Sequence, residues 1–543
     1  MWRICAARSW GRHAARNNDW PQAAECFALA VSILPLITPH YLQRGGQDQG
    51  LSQLTGLASD AAASALNAGD IDRAVQLLEQ ARSWLLAQAL ESHSDFTELH
   101  KRAPKLADRL TRLREKLDAP QAGHAGNETA LAGQLSHLDP KASRRMMEAR
   151  TEVATSWNQL ITRIRNTLPE FKNFLHPPIL PELLESASSG PLVLINISDY
   201  RSDAFILTSQ EVDTVPLPGL TPERIGEETS RFLDALQIIH DPKCTHAQMV
   251  RAQGEIHPIL EWLWDTATGP ILDRLDLTST PGADQEWPRI WWSPSGLLTY
   301  LPPHAAGYHQ DDRYPARTVL DRVVSSYTPT VRALQYARNH QQAPLDGAQI
   351  LVVAMPQTAG APDLPGARAE ADLVRGMFSA LELSGPQATH DSVRDSLGSH
   401  FFAHFACHGL SDCNDPSHSH LLLHDHQSNP LTVLDISRLR LPDSRLAYLS
   451  ACDTARTVVD EVDHITAAFQ LAGYTHVIGA LWPINDITSV EIAKTVYQKL
   501  SRKSSEALAV EETAAALHSA IRSVRNRYPK APSLWAAHIH AGP

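Results

Sequence analysis

The chain has 543 residues, of which 43% are hydrophobic and 20% charged, and its net charge is −12 at pH 7. This length predicts two or more globular domains, because one hydrophobic core rarely extends over so many residues. The negative charge argues against a nucleic-acid-binding protein, the absence of long apolar runs argues against a transmembrane helix, and six cysteines without paired spacing argue against a disulfide framework. We therefore expect a cytoplasmic protein that binds neither nucleic acid nor a membrane.

The N-terminal residues predict paired helices. Residues 4–35 match one unit of the tetratricopeptide repeat (TPR), with small or apolar residues and a final proline at the repeat positions: Gly11, Ala14, Trp20, Ala23, Phe27, Ala30 and Pro35. A weaker unit covers about 58–90. Since a repeat array needs about three stacked units to be stable, we expect residues 1–118 to form a TPR-like helical region that leans on another part of the chain. The arginines before residue 18 would also suit a mitochondrial transit peptide, but the repeat positions favour a first helix.

Residues 119–187 are predicted to be a linker with connecting helices. Residues 119–139 carry Pro, Gly, Asn and His with little periodicity, which is typical of a loop. A helical pattern follows over about 140–166, with an apolar face that includes Trp157 and Ile164.

From residue 191 the hydrophobic period becomes that of strands. The pattern predicts strands at 191–197, 204–207 and 212–216, helices at 221–240 and 246–275, and a hairpin of 289–294 with 297–301. On such a hairpin, one of Trp291 and Trp292 would be buried and the other half-exposed.

Strands and helices then alternate. The predicted strands are 350–355, two that end at His408 and Cys452, and 477–481, and the predicted helices are 367–381, 464–472, 487–500 and 506–526. This alternation is typical of a mainly parallel sheet that is covered by helices on both faces. We therefore predict an α/β domain over residues 188–543.

Two of these strands end in residues that suit catalysis. One stops at His408-Gly409 and the other at Cys452. Adjacent parallel strands present their carboxyl ends at one edge of the sheet, so the imidazole of His408 could take the proton of the Cys452 thiol. The backbone amides of Gly409 and Cys452 would then bind the oxyanion that forms on the substrate.

The sequence around these residues resembles a known family. The runs 406–409 (ACHG) and 449–455 (LSACDTA) are similar to the histidine and cysteine motifs of CHAT domains, the TPR-associated members of the caspase and separase clan of cysteine peptidases. The runs 292–297, 301–306, 327–330, 364–367 and 473–483 resemble the family as well. The histidine also precedes the cysteine, as in caspases.

The resemblance implies a caspase-like fold for residues 188–543 and a cysteine endopeptidase activity on a protein or peptide substrate. It implies catalysis by His408 and Cys452 without a metal or an organic cofactor. By analogy with TPR surfaces, the N-terminal region would recruit a substrate or a regulatory protein. The alternatives are a catalytically silent TPR-CHAT interaction scaffold and, less well supported, a redox-sensing thiol.

Further residues near the predicted site have two interpretations each. Four acidic residues follow the cysteine: Asp453, Asp460, Glu461 and Asp463. They are either a solvated face with a helix cap at Asp463 or a pocket wall that favours a basic residue before the scissile bond, as in clan members that cleave after Arg or Lys. Trp482 ends the next strand at the same edge, where it either lines the pocket or packs in the core.

A metal site is the alternative for the histidine-rich segment 400–426. Imidazole and thiolate are good zinc ligands, and this segment holds seven histidines together with Cys407 and Cys413. The standard ligand spacings are missing, however, and residues 418–426 alternate like a hairpin strand. We therefore predict no metal.

Overall fold

The computed structural model describes most of the chain. The described ranges are 2–34, 56–91, 99–100, 102–118, 140–168, 171, 179–282, 284–310, 316–339, 349–412, 418–451, 465–501 and 508–543. Among these residues, none of the helices combines the length and the hydropathy of a transmembrane span.

The N-terminal region is helical, as predicted. Its helices are α1 (Trp2–Arg16), α2 (Trp20–Ile33), α3 (Leu57–Asn67), α4 (Ile71–Glu91), α5 (Pro104–Asp118), α6 (Pro140–Thr167) and α7 (Leu180–Glu185). The Asp19 carboxylate caps α2 by accepting a hydrogen bond from the Gln22 amide at 3.2 Å. At Gly69, between α3 and α4, φ is +86°, a backbone conformation that glycine adopts without strain.

The C-terminal region is built on a large sheet. Its strands are β1 (Leu192–Asn196), β2 (Asp203–Leu207), β3 (Val212–Pro216), β4 (Arg289–Ser293), β5 (Val324–Tyr327), β6 (Ile350–Ala354), β7 (Ala380–Ser384), β8 (Phe402–Ala406), β12 (Leu446–Ser450), β13 (His476–Ala480) and β14 (His538–Ala541). The short strands β9 (Gly409–Leu410), β10 (His420–Leu421) and β11 (Leu431–Thr432) form a second sheet.

Helices cover the large sheet. They are α8 (Pro222–His240), α9 (His246–Leu263), α10 (Gly269–Arg274), α11 (Val331–Asn339), α12 (Pro365–Met377), α13 (His390–Leu397), α14 (Val433–Ser437), α15 (Ile465–Ala472), α16 (Asp486–Leu500) and α17 (Thr513–Arg527). A π-helical turn, Trp264–Thr268, separates α9 from α10, where the sequence predicted one continuous helix.

The eleven strands of the large sheet lie in the order β3-β2-β1-β4-β5-β14-β13-β12-β8-β6-β7. Most neighbours are parallel, which confirms the predicted fold class of a helical N-terminal region followed by a mainly parallel sheet. The direction reverses between β13 and β14, which are antiparallel. The carboxyl ends of β6, β8, β12 and β13 therefore share one edge of the sheet, and those of β1, β4 and β5 lie at the opposite edge.

The N-terminal helices pack on one face of β1, β2 and β4. The helical region thus leans on another part of the chain, as expected from its small number of repeats. Apolar side chains of α1 to α4 share a core with Leu194, Phe205 and Trp291 of these strands. Two hydrogen bonds also join the helices to the sheet region. The Arg82 guanidinium of α4 donates to the Pro294 carbonyl at 2.7 Å, and the Arg332 amide of α11 donates to the buried Glu79 carboxylate at 3.1 Å.

The hairpin predicted over 289–301 is wrong. Residues Arg289–Ser293 do form a strand, but Gly296–Tyr300 is a 3₁₀ helix, and β4 pairs in parallel with β1 and β5. The two halves separate because Leu298 and Leu301 turn into the core instead of pairing with β4. Since β4 lies inside the sheet with both faces covered, Trp291 and Trp292 are both fully buried, and the predicted half-exposure of one of them is also wrong.

A glycine in the turn before β13 provides a test of this packing. Gly473 has a φ of +129°, and a Cβ at this position would overlap the carbonyl oxygen of Leu441. Gly473→Ala is therefore expected to lower the free energy of unfolding by about 2 kcal/mol or more. The matched control is Gly376→Ala in α12, where a Cβ meets no atom within 4 Å, and a gain of about 0.5 kcal/mol is expected. Urea unfolding of both variants measures the difference, and equal effects would contradict the described turn.

Candidate functional site

The two strands that carry the predicted catalytic residues are neighbours. Strands β8 and β12 are parallel, and their register places Ser450 opposite Ala406 at the carboxyl ends. His408 and Cys452 each follow these paired residues by two positions in the sequence. The predicted side-by-side arrangement of the strand ends is thus confirmed, whereas Cys452 itself lies outside the described residues and its role stays a prediction.

The ring of His408 is fixed by a backbone carbonyl. Its Nε2 lies 2.8 Å from the carbonyl oxygen of Pro362. A carbonyl oxygen only accepts hydrogen bonds, so this contact assigns the ring proton to Nε2 and leaves Nδ1 of the neutral ring as the basic nitrogen. Sequence reasoning missed this partner, because the interaction uses a main-chain atom that leaves no signature in the residue type.

The segment that carries Pro362 is positioned by the same sheet edge. It follows β6, and the Met355 amide donates to the Ala406 carbonyl of β8 at 2.9 Å. The Leu364 amide donates back to the Pro356 carbonyl at 2.8 Å, which closes the segment into a compact loop before α12. The loop and the end of β8 are therefore held together next to His408.

The backbone amide of Gly409 points away from the neighbouring strand of the small sheet. It lies on β9, the edge strand, opposite Leu421 of the antiparallel strand β10. The Leu422 amide donates to the His408 carbonyl at 2.9 Å, so positions 408 and 422 form a hydrogen-bonded pair. In an antiparallel ladder the next pair is not hydrogen-bonded and its amides point outward, which leaves the Gly409 N–H facing away from β10. This orientation suits an oxyanion donor.

An insert lies between β8 and β12. The chain passes from β9 through β10 and β11 into α14 before it enters β12, which makes a crossover connection with an added small sheet.

Two histidines of this insert contact main-chain carbonyl oxygens. Nδ1 of His420 lies 2.8 Å from the His418 carbonyl, and Nδ1 of His426 lies 2.8 Å from the Leu423 carbonyl. Within the described part of the chain, no group of three or more His, Cys, Asp or Glu side chains is arranged to hold a metal ion. Cys413, the second cysteine of the segment, lies outside the described residues.

The predicted pocket residues are placed as follows. Asp453, Asp460, Glu461 and Asp463 lie outside the described residues, so the acidic pocket wall stays a prediction. Trp482 is only 2% exposed, its indole N–H donates to the Ser533 carbonyl at 3.2 Å, and its ring meets Phe232 edge to face. These contacts favour the core role that the sequence left open for Trp482.

A buried polar cluster lies under the ends of β8 and β12. It consists of Glu370 of α12, His404 of β8, Ser450 of β12 and Tyr497 of α16, all of which are buried. Burial, together with the Glu370 carboxylate, raises the pKa of Tyr497 well above its ordinary value, so its hydroxyl stays protonated. Glu370 could not be recognised from the sequence, because a charged residue inside an amphipathic helix gives no sign of burial, and Ser450 stood out only as part of the cysteine motif.

Comparison with known proteins places this arrangement in a family. The family model described as "CHAT domain" matches residues 257–543. None of the curated proteins compared with the chain matches it.

Two of the solved structures that match the chain are a separase and a gingipain. The separase of the Saccharomyces cerevisiae separase–securin complex is 10% identical with a TM-score of 0.51, and the match covers 96% of this chain and 37% of the separase chain. The complex of the pro- and mature domains of RgpB from Porphyromonas gingivalis is 10% identical with a TM-score of 0.34, and covers 59% of this chain and 77% of that one. The chain thus spans well under half of the separase chain that it matches, and the likeness to separase concerns the fold.

The family match extends over more than half of the chain and includes β8 and β12 with the two motifs at their ends. The chain has a separase-like fold, and it belongs to the CHAT domain family.

Proposed function

We propose that the protein is a cysteine endopeptidase that uses His408 and Cys452. The proposal rests on one observation above all: the strand that leads to Cys452 lies directly beside the strand that leads to His408, whose Nε2 contacts the Pro362 carbonyl, so that Nδ1 is the acceptor of the neutral ring. A thiol at its ordinary pKa is only a few per cent thiolate at neutral pH, so a neighbouring base is what makes it an effective nucleophile.

The reaction follows from these positions. The Cys452 sulfur attacks the scissile carbonyl carbon while its proton passes to Nδ1 of His408, and the oxyanion accepts hydrogen bonds from the amides of Gly409 and Cys452. The tetrahedral intermediate collapses as Nδ1–H protonates the leaving amine, which leaves a thioester on Cys452. A water molecule, deprotonated by the same nitrogen, then hydrolyses the thioester and restores the thiol.

The proposed substrate is a protein segment with a basic residue before the scissile bond. The acidic residues that follow the nucleophile, from Asp453 to Asp463, supply the negative charge for such a side chain. The helical N-terminal region is proposed to recruit the substrate or a regulatory protein. The separase in the similar structure is bound to securin, which makes a protein partner a reasonable expectation for this chain as well.

A thiol-reactive peptide probe tests the dyad. Wild-type protein is expected to be labelled at Cys452, and His408→Ala is expected to slow this labelling by about a hundredfold, since a general base contributes on that order. His420→Ala, a change in a histidine of β10 whose Nδ1 contacts the His418 carbonyl, is the matched control and should keep the wild-type rate. Equal labelling of wild type and His408→Ala would favour the interaction scaffold instead.

A peptide library tests the proposed specificity. Peptides with Arg or Lys before the scissile bond should be cleaved at least about tenfold faster than matched peptides with Glu or Leu, because complementary charge favours the basic side chain. The Asp460→Asn/Glu461→Gln double variant should reduce this preference while leaving slow cleavage of neutral peptides in place. Cleavage only after acidic or apolar residues would contradict the acidic pocket.

A further inference from the structure

Glu370 lies where it touches both catalytic strands. It belongs to α12, which starts at Pro365, three residues after the carbonyl that holds His408. The side chain lies between α12 and the sheet, and the residue is only 3% exposed. One carboxylate oxygen accepts a hydrogen bond from the Ser450 hydroxyl at 2.8 Å, and Ser450 precedes Cys452 by two residues.

The other carboxylate oxygen faces the histidine strand. It lies 2.9 Å from Nε2 of His404, which is fully buried on β8 four residues before His408. The two atoms do not form a hydrogen bond of good geometry, so this is a close polar contact. The opposite ring nitrogen of His404 lies 3.0 Å from the Tyr497 hydroxyl. One carboxylate thus contacts the strand that ends at the base and the strand that ends at the nucleophile.

The helix that carries Glu370 is itself fixed. The Gly366 amide at its start donates to the Asp486 carboxylate at 3.1 Å, and a Cβ at Gly366 would lie 3.0 Å from that side chain. Helix α12 is therefore held closely against α16, which limits its movement along the sheet. The Pro362 loop, β8 and β12 all contact or adjoin the same helix, α12, which is itself held in place.

This arrangement is more than packing requires. An apolar residue of similar size would fill such a place without the cost of burying a polar carboxyl group. The carboxyl group instead adds a directional hydrogen bond with Ser450, which fixes how far β12 extends relative to β8. Attack on a carbonyl needs reacting atoms about 3 Å apart, and a misplacement of about 1 Å can cost on the order of a hundredfold in rate.

We infer that Glu370 is a positioning residue: through the Ser450 hydroxyl it holds the end of β12, and hence the start of the segment that carries Cys452, in register with His408. The inference rests on the proposed function for its chemical consequence. It concerns the placement of the nucleophile and assigns Glu370 no contact with the substrate.

Four variants of the full chain separate positioning from stability. Ser450→Ala removes the donor, and Glu370→Met keeps the volume but removes the acceptor. Glu370→Gln restores an oxygen acceptor without the charge. Tyr448→Phe, on the same strand, removes a buried hydroxyl that makes no hydrogen bond within the described part of the chain, and serves as the control.

Two readouts are compared with the urea midpoint of each variant. The first is the rate of iodoacetamide alkylation of Cys452, followed by mass spectrometry as a function of pH. Ser450→Ala and Glu370→Met should lower it about tenfold at pH 7, the two changes together should cost no more than the larger single one, and Glu370→Gln should recover most of the loss. The second readout is amide hydrogen exchange over 446–451, which should be faster in the same two variants.

The outcomes distinguish the two proposals. The positioning role is supported if Glu370→Met keeps or raises the urea midpoint while it slows alkylation and speeds exchange. It is overturned if Ser450→Ala and Glu370→Met match wild type in both readouts, or if alkylation falls only in proportion to lost stability, Tyr448→Phe included. If Cys452 is alkylated as fast in His408→Ala as in wild type, the proposed peptidase function fails. Hydrogen exchange alone then decides whether Glu370 holds β12.

Discussion

Acidification from pH 7.5 to pH 5.5 is expected to lower the free energy of unfolding by on the order of 5 kcal/mol, which is comparable with the total stability of many domains. The cause is a set of neutral histidines, of which four are buried and one, His309, is half-buried. Burial lowers the pKa of four of them to about 3 and that of a fifth to about 4: His304, His309, His476, His518 and His538.

The sign follows from which state binds protons. In the unfolded chain these rings have their ordinary pKa of 6.5, so they become charged as the pH falls below that value, while the folded protein keeps them neutral. The contribution of these histidines to the free energy of unfolding is therefore fully present above pH 6.5. It is lost as the pH falls toward their pKa values in the folded protein. Each histidine contributes about 1.4 kcal/mol per pH unit in this window.

Urea midpoints at pH 7.5 and pH 5.5 measure this effect. His538→Leu removes one titrating ring whose two nitrogens make no hydrogen bond to any described residue, so it should make stability less dependent on pH. His246→Gln changes a histidine on an exposed face of α9 and should leave the pH dependence as it is. Equal urea midpoints for the wild-type chain at the two pH values would show that these histidines are not buried as described.

Loss of either member of the dyad is expected to have the largest effect on activity. In the proposed mechanism, Cys452→Ala removes the nucleophile, and His408→Ala leaves a thiol without its base. Each change should lower kcat/KM for a cleaved peptide by about a thousandfold or more, and the double variant should be no worse, because the two residues act as one unit. Cys244→Ser, in the loop between α8 and α9, is the control that should retain wild-type kinetics.

Kinetics with the best peptide from the library measure this prediction. Residual cleavage in Cys452→Ala near the wild-type rate would assign the activity to another group. Additive losses in the double variant would mean that His408 and Cys452 act independently, and this would contradict a shared proton transfer.

Local sequence patterns were sufficient for four strands on one side of the sheet, but they missed β7, whose first residues fall in the predicted helix 367–381. Each of β6, β8, β12 and β13 is a fully buried five-residue strand, and continuous apolar runs of that length are typical of central parallel strands. The His-Gly and Cys motifs come at the ends of such runs, so their neighbouring positions at one sheet edge could be predicted before any coordinates.

The remaining features depend on contacts between distant residues. The pair Ser295-Gly296 reads as a hairpin turn, yet β4 takes β1 and β5 as its partners, which no local signal encodes. The hydrogen bond from His408 to Pro362 uses a main-chain oxygen, and Glu370 resembles any surface glutamate on a helix. Such features appear only when the register of the strands and the position of α12 are known.

Comparative proteomics of new chain termini tests the central proposal most directly. Cells that express the wild-type chain should contain a set of protein fragments with new N-termini that are missing from cells that express Cys452→Ala at the same level. His408→Ala should lack the same fragments, and basic residues should precede the cleaved bonds. Identical sets of termini in wild-type and Cys452→Ala cells, at equal expression and under conditions in which the wild-type thiol reacts with the peptide probe, would contradict the assignment of this protein as a peptidase.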